Sequence, residues 1–211
     1  MNKNELKRVL SCMDKVVTFS LLNGLNVHTS VGGKYAELFV AHELLKHDLK
    51  LGQRRKEVEI NRSGSCDVIL AKTKKKLEVK WAVLHYDPKD PFVKGAQGIP
   101  YWGWGFSMGK QFIDRKFDYC ILIAAKKDRA YPQHIFVIKC EEMTERTMGG
   151  KRKSGVFTKG SFYLEYSHDR NFYFKRKWWP KGPSPLEEDI FDNRELYERR
   201  WGELKRKGML E

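Results

Sequence analysis

The stretch CDVILAKTKKKLEVKWAV, residues 66–83, sets two runs of strand-forming residues around a lysine-rich turn. Side chains alternate faces along a strand, so such a hairpin lays one face on a core. Leu77, Val79 and Trp81 share a face that suits burial against a helix, and Glu78 and Lys80 share the opposite one. Asp67 opens the first run, with Cys66, Val68 and Leu70 facing away from it. With the turn placed over 72–76, Asp67 lies toward the far end of the hairpin. It then meets Glu78 and Lys80 only if the register shifts or the strands twist. Charges in a dry sheet cost several kcal/mol each when unpaired. A divalent cation relieves that cost, and Mg²⁺ binds few carboxylates while keeping waters and taking phosphate oxygens. A lysine beside such a site supplies positive charge near an attacking water or a phosphoryl oxygen. The plainer alternative is an exposed Glu78–Lys80 pair with Asp67 as a turn residue.

Around this hairpin the periodicity predicts an amphipathic helix over 4–22, through Leu6, Val9, Leu10, Met13, Val16 and Val17. A second helix is predicted over 34–48, with an apolar stripe of Leu38, Phe39, Ala41, Leu44 and Leu45. Strands are predicted at 54–60, 66–71, 77–84, 119–125 and 134–139, and a further helix at 103–118 through Phe106, Lys110, Phe112, Ile113 and Phe117. Helix, three strands, helix, two strands is the order of an α/β domain around one mixed sheet. Residues 1–140 are expected to form the core with its N-terminal helix. Residues 141–211 are expected to pack on it as a basic, aromatic-rich appendage: a loop at 146–155, a hairpin at 161–167 and 171–179, and a helix at 187–208.

The 211 residues carry 41 Lys+Arg against 27 Asp+Glu, a formal charge of +14. That excess favours a polyanionic partner. No apolar run reaches the roughly 18 residues a bilayer span requires, and the N-terminus lacks the apolar segment and cleavage site of a signal peptide. The expected location is therefore intracellular, in the cytoplasm, with no membrane partner. Cys12, Cys66, Cys120 and Cys140 are scattered, with no zinc-ligand spacing. Free, mostly buried thiols are expected, with a disulfide as the other option.

The arrangement D-x₁₀-E-V-K at Asp67, Glu78 and Lys80 resembles the signature of the PD-(D/E)XK nuclease superfamily. Type II restriction endonucleases and archaeal Holliday junction resolvases belong to it. The order predicted over 34–125 is similar to the αβββαβ restriction-endonuclease-like core. GGKYAELFVAHELL places Glu37 where resolvase-type members carry a helix glutamate, and Cys66 stands where the family has a proline. The resemblance implies that Asp67, Glu78 and Glu37 surround Mg²⁺, with Mn²⁺ able to substitute, and that Lys80 contacts the nucleophilic water.

Candidate DNA contacts lie outside this set. Lys74 and Lys75 belong to the hairpin turn, and Lys151, Arg152 and Lys153 follow two glycines that permit close approach. Lys175 and Arg176 precede Trp178 and Trp179, a mixture suited to nucleic acid or to a dimer seam. The aromatic stretch 101–110 reads as core, with a wedge between base steps as the other option. The reading is a Mg²⁺-dependent DNA endonuclease, first a sequence-specific restriction enzyme. A structure-selective or viral nuclease is the alternative, and a non-catalytic nucleic-acid-binding protein the other class. Cutting both strands of double-stranded DNA with one site per chain favours a homodimer.

Overall fold

The structure, a computed structural model, describes residues 3–25, 27, 29–50, 58–60, 66–70, 73–86, 102–107, 116–142, 161–166, 172–176 and 194–210. The chain opens with helices α1 (Lys3–Leu22) and α2 (Thr29–Lys50). Strands β1 (Val58–Ile60), β2 (Val68–Leu70), β3 (Lys75–Val83), β4 (His85–Tyr86) and β5 (Trp102–Ser107) follow. Then come β6 (Tyr119–Ala125), β7 (Pro132–Lys139), a 3-10 turn (Cys140–Glu142), β8 (Ser161–Tyr166), β9 (Phe172–Arg176) and helix α3 (Arg194–Lys207). The class is α/β, as expected. Two sheets form rather than one: a five-stranded sheet in the order β1-β2-β3-β6-β7 and a four-stranded sheet in the order β4-β5-β8-β9. The first is mixed, since β3 and β6 run parallel while its other pairs are antiparallel.

Strand β6, YCILIAA, is buried at every residue. A strand covered on both faces reads as a continuous apolar run rather than an alternation, and its two faces feed two cores. Ile121 and Ile123 join Val68, Leu70, Leu77, Val79 and Val137 beneath Tyr35, Ala36, Phe39, Val40 and Leu44 of α2. Cys120, Leu122 and Ala124 join Phe136 and Ile138 beneath Trp104 and Phe106 of β5 and Tyr197 of α3. On its other side α2 sets Leu38 and Ala41 against Leu6 of α1. A helix apolar nearly all round is one buried on several sides, which is why the stripe of α2 reads so broad.

Helix α1 ends where Gly24 adopts φ 65. Gly24 N–H donates to Leu21 O and Leu25 N–H to Ser20 O, a left-handed glycine cap. Helix α2 begins five residues before the predicted 34 and runs through Gly32 and Gly33. A Cβ on Gly32 would lie 2.3 Å from the Trp81 ring, so this glycine is the means by which α2 approaches β3.

The helix predicted over 103–118 is corrected at its start. Residues 102–107 form β5, while 108–115 lie outside the described residues. Trp102, Trp104 and Phe106 alternate with Gly103, Gly105 and Ser107, a period of two rather than 3.6. Trp104 is 0 % and Phe106 1 % exposed, and the Trp104 indole N–H donates to Ala125 O at 2.7 Å. The aromatic stretch is therefore core where it is described.

The C-terminal part is woven into this framework. Strand β8 pairs with β5 across six residue pairs. Arg200 of α3 forks onto both oxygens of Glu142, at 2.6 and 2.7 Å. Trp201, Leu204 and Leu210 complete the α2-side core. Residues 146–155, expected to be a loop, lie outside the described residues, as does the predicted start of the last helix. All four cysteines are free: Cys66 and Cys120 are buried, Cys140 half-buried and Cys12 exposed. Among the described residues, no helix is long and apolar enough to cross a membrane.

Candidate active site

The hairpin turn settles the register. Strand β3 starts at Lys75, two residues before its predicted start, and pairs Leu70 with Lys75, Ile69 with Lys76 and Val68 with Leu77. The turn is shorter than 72–76, and Lys74 in it takes φ 56, a left-handed conformation that non-glycine residues seldom adopt. Asp67 N–H donates to Leu77 O at 2.9 Å, so Asp67 as well as Val68 stands opposite Leu77, and the register shifts by one residue at this point. With that shift Asp67 comes near enough to Glu78 for the charge of Glu78 to act on its carboxyl.

The chain bends at Asp67, and β2 begins only at Val68. There the Asp67 carboxylate also reaches the backbone of β3: Val79 N–H donates to Asp67 Oδ2 at 2.7 Å. The bend also corrects the expectation for Cys66. It packs with Cys120, Phe106 and Leu122, whereas Val68 and Leu70 pack on the opposite side beneath α2.

Glu78 is 1 % exposed and pairs with the ammonium of Lys80, two residues along the same strand face. The fields of Lys80, Glu78 and Asp67 all reach the Cys120 thiol of the neighbouring strand, which burial above all holds well above its ordinary pKa. Glu37 lies on α2 with its side chain 15 % exposed, paired with Lys34 one turn earlier.

Asp67 registers all of these neighbours. Burial raises its carboxyl most, and the charge on Glu78 adds to it. The Val79 N–H and Lys80 pull it down, and the charge of Glu37 raises it again. The outcome is a carboxyl pushed up to about 6. Asp67, Glu78, Lys80 and Glu37, distant in sequence, thus share one electrostatic neighbourhood.

Among the described residues, no group of three or more His, Cys, Asp or Glu side chains stands close enough together to hold a metal ion. Asp67 and Glu78 are near enough for the charge of Glu78 to raise the Asp67 carboxyl. Two hard carboxylates suit Mg²⁺, which takes one or two protein carboxylates and completes its shell with water and phosphate. A carboxyl raised by burial and a neighbouring carboxylate is one whose ionisation a nearby cation would favour.

The predicted DNA contacts divide. Lys74 is exposed at the turn. Lys75 is held by Asp118, with Nζ 2.9 Å from Oδ1, and lies over the Tyr119 ring. Asp118 also accepts from Lys76 N–H at 2.8 Å, so this lysine and aspartate fasten the start of β3. Lys175 and Arg176 end β9, the edge strand of the second sheet. Lys151, Arg152 and Lys153 lie outside the described residues. Sequence reasoning missed Lys34, whose signal is its position three residues before Glu37 on a helix. It also missed the pairing role of His85 and Tyr86, which form β4 against Gly103 and Trp102.

Comparison with models of known protein families gives no match, and comparison with curated proteins gives none either.

Proposed function

We propose that the chain is a Mg²⁺-dependent DNA endonuclease of the PD-(D/E)XK kind, hydrolysing phosphodiester bonds. The observation that carries this reading is the proximity of Asp67 to Glu78, whose charge raises the Asp67 carboxyl, with Lys80 paired to Glu78 on the same strand face. The +14 charge supports a nucleic acid as substrate.

In this reading Asp67 and Glu78 hold the cation, with Glu37 close enough to add its charge or to bind through water. The bound cation would polarise a phosphoryl oxygen and make a water more acidic. The chain's own residues do the rest. The Val79 N–H fixes the Asp67 carboxylate and leaves it little freedom to turn away. Lys80, its side chain 20 % exposed, keeps its ammonium on the buried Glu78 carboxylate, where it can neutralise charge developing on an oxygen at the cation. Helix α2, seated on Trp81, holds Glu37 at the rim.

A sequence-specific restriction enzyme is the first reading within this class, and a structure-selective nuclease the second. Plasmid DNA with Mg²⁺ separates them: discrete fragments support the first, preference for a four-way junction the second. Asp67→Asn and Glu78→Gln are expected to abolish cleavage while keeping or tightening DNA binding, because each removes repulsion toward phosphate. Lys80→Ala is expected to be inactive but still to bind Mg²⁺ in calorimetry. Cleavage by either carboxylate variant at the wild-type rate defeats the proposal. The buried Glu78–Lys80 pair, already neutral as a unit, favours one rival, a non-catalytic DNA-binding protein. That rival requires binding unaffected by Mg²⁺ and no cleavage.

A further inference from the structure

Helix α1 uses only part of its surface to hold the fold. Leu6 and Val17 are buried, and Leu10, Met13 and Leu21 are packed partly against the cores. About a third of a turn away runs a second apolar line. Val9, Val16 and Phe19 on it are 40 %, 59 % and 63 % exposed, and Cys12, also exposed, stands among them. Leu22 and Leu25, 64 % and 55 % exposed, extend apolar surface past the last turn. Contiguous apolar surface of this kind marks an interaction site.

The steps from Val9 to Cys12, Val16 and Phe19 are three, four and three residues, the alternation of a seam between two helices. A helix lying on a membrane presents a broader apolar face than this single line.

Charge selects the partner and its direction. Lys3, Lys7 and Arg8 crowd the first turns of α1, at the positive end of its dipole, with Glu5 the one acid there. The last turn, at the negative end, holds no basic residue. Each end is therefore poorly matched to its own dipole. A second α1 laid antiparallel corrects both ends, because each basic start then lies beside the other copy's final carbonyls. A parallel copy would set two basic ends side by side. The antiparallel seam is also self-complementary: Val9 faces Phe19 of the second copy, and Cys12 faces Val16.

We propose that α1 is the dimer interface of this protein, packing antiparallel against α1 of a second copy about a two-fold axis between Cys12 and Val16. The proposal is independent of the nuclease reading, since it concerns association without DNA or metal.

Sedimentation equilibrium on the full chain, without DNA or Mg²⁺, is the test. The wild type is expected to be a dimer, and Val16→Glu and Phe19→Glu to raise its dissociation constant at least tenfold while the circular dichroism spectrum stays unchanged. A short bifunctional maleimide is expected to link two wild-type chains through Cys12, and Cys12→Ser to abolish the product. A monomeric wild type overturns the proposal, as does a dimer that survives Phe19→Glu. Wild-type chains that stay monomeric but bind anionic vesicles through these side chains overturn it in favour of a membrane surface. A monomeric wild type whose melting temperature falls in Phe19→Glu overturns it in favour of a segment of the same chain covering the stripe.

Discussion

The backbone N–H of Val79 donates to Asp67 Oδ2 at 2.7 Å, so Asp67 is held to β3 by its side chain as well as by its own N–H on Leu77 O. An amide oxygen can accept the same bond. Asp67→Asn is therefore expected to fold normally, and at pH 7 to be more stable than the wild type, because it removes a buried charge facing Glu78. Urea titration of metal-free protein checks this. A less stable variant would show that the ionised carboxylate is structurally required.

The pH dependence follows from the same group. Its carboxyl is raised from 3.8 to about 6 by burial and then Glu78, so the folded state holds the proton more tightly than the unfolded one. Stability contributed by this group is full below 3.8 and declines as pH rises to about 6, the sign opposite to that of a salt-bridged aspartate. The difference between Asp67→Asn and wild type is expected to grow across that window to on the order of 3 kcal/mol. Added Mg²⁺ is expected to shrink it at pH 7, and cleavage by the wild type to rise with pH through the same range.

Gly32 and Gly33 provide a paired test of packing. Gly32→Ala drives a methyl to 2.3 Å from Trp81, whereas Gly33→Ala meets nothing within 4 Å. The first is expected to cost about 1–3 kcal/mol through overpacking, and the second to stabilise by up to about 1 kcal/mol through helix propensity. Thermal denaturation of the two variants separates them. Equal effects would mean that Trp81 can turn aside.

Glu37→Ala is expected to depress cleavage at least tenfold while changing stability little, since its one ion pair among the described residues is the rim contact with Lys34. Glu43, paired with Lys46 at 3.3 Å on the same helix, is the control, and Glu43→Ala is expected to cleave normally. Plasmid cleavage and melting temperature measured on both variants decide the matter.

Arg200→Ala removes a fork that Glu142 accepts with both oxygens. Burial alone would raise Glu142, yet hydrogen bonds from Arg200 and from Lys139 N–H prevail and hold it below its ordinary range. That contribution is present above the ordinary glutamate pKa and is lost as pH falls through the depressed one. The substitution is expected to cost about 1–3 kcal/mol at neutral pH, and less in acid, as read by denaturant titration.

The strands of the five-stranded sheet were legible because Val, Ile and Leu recur with little interruption in 66–71, 119–125 and 134–139. The site was legible in part, because charges within such runs demand a reason. The register was not, since it hangs on one left-handed residue, Lys74, and nothing in a lysine run announces which lysine turns. The hairpin of β8 and β9 was read at 161–167 and 171–179, but the strand β5 that joins it stayed hidden because Gly103 and Gly105 alternate with aromatics. Read as helix breakers, those glycines cast doubt on a helix without revealing a strand whose partner, β8, lies more than fifty residues downstream.

The hairpin turn is tied to the far end of the chain. Thr73 Oγ1 donates to Gly208 O across 135 residues, and Leu210 N–H donates to the Tyr119 hydroxyl. At roughly 5–20 residues per second of synthesis, the turn emerges from the ribosome several seconds before its clasp exists. The carboxylates on either side of that turn are thus made well before the segment that clasps it. A nascent chain passes through a period in which it holds the residues of the site without the architecture that aligns them.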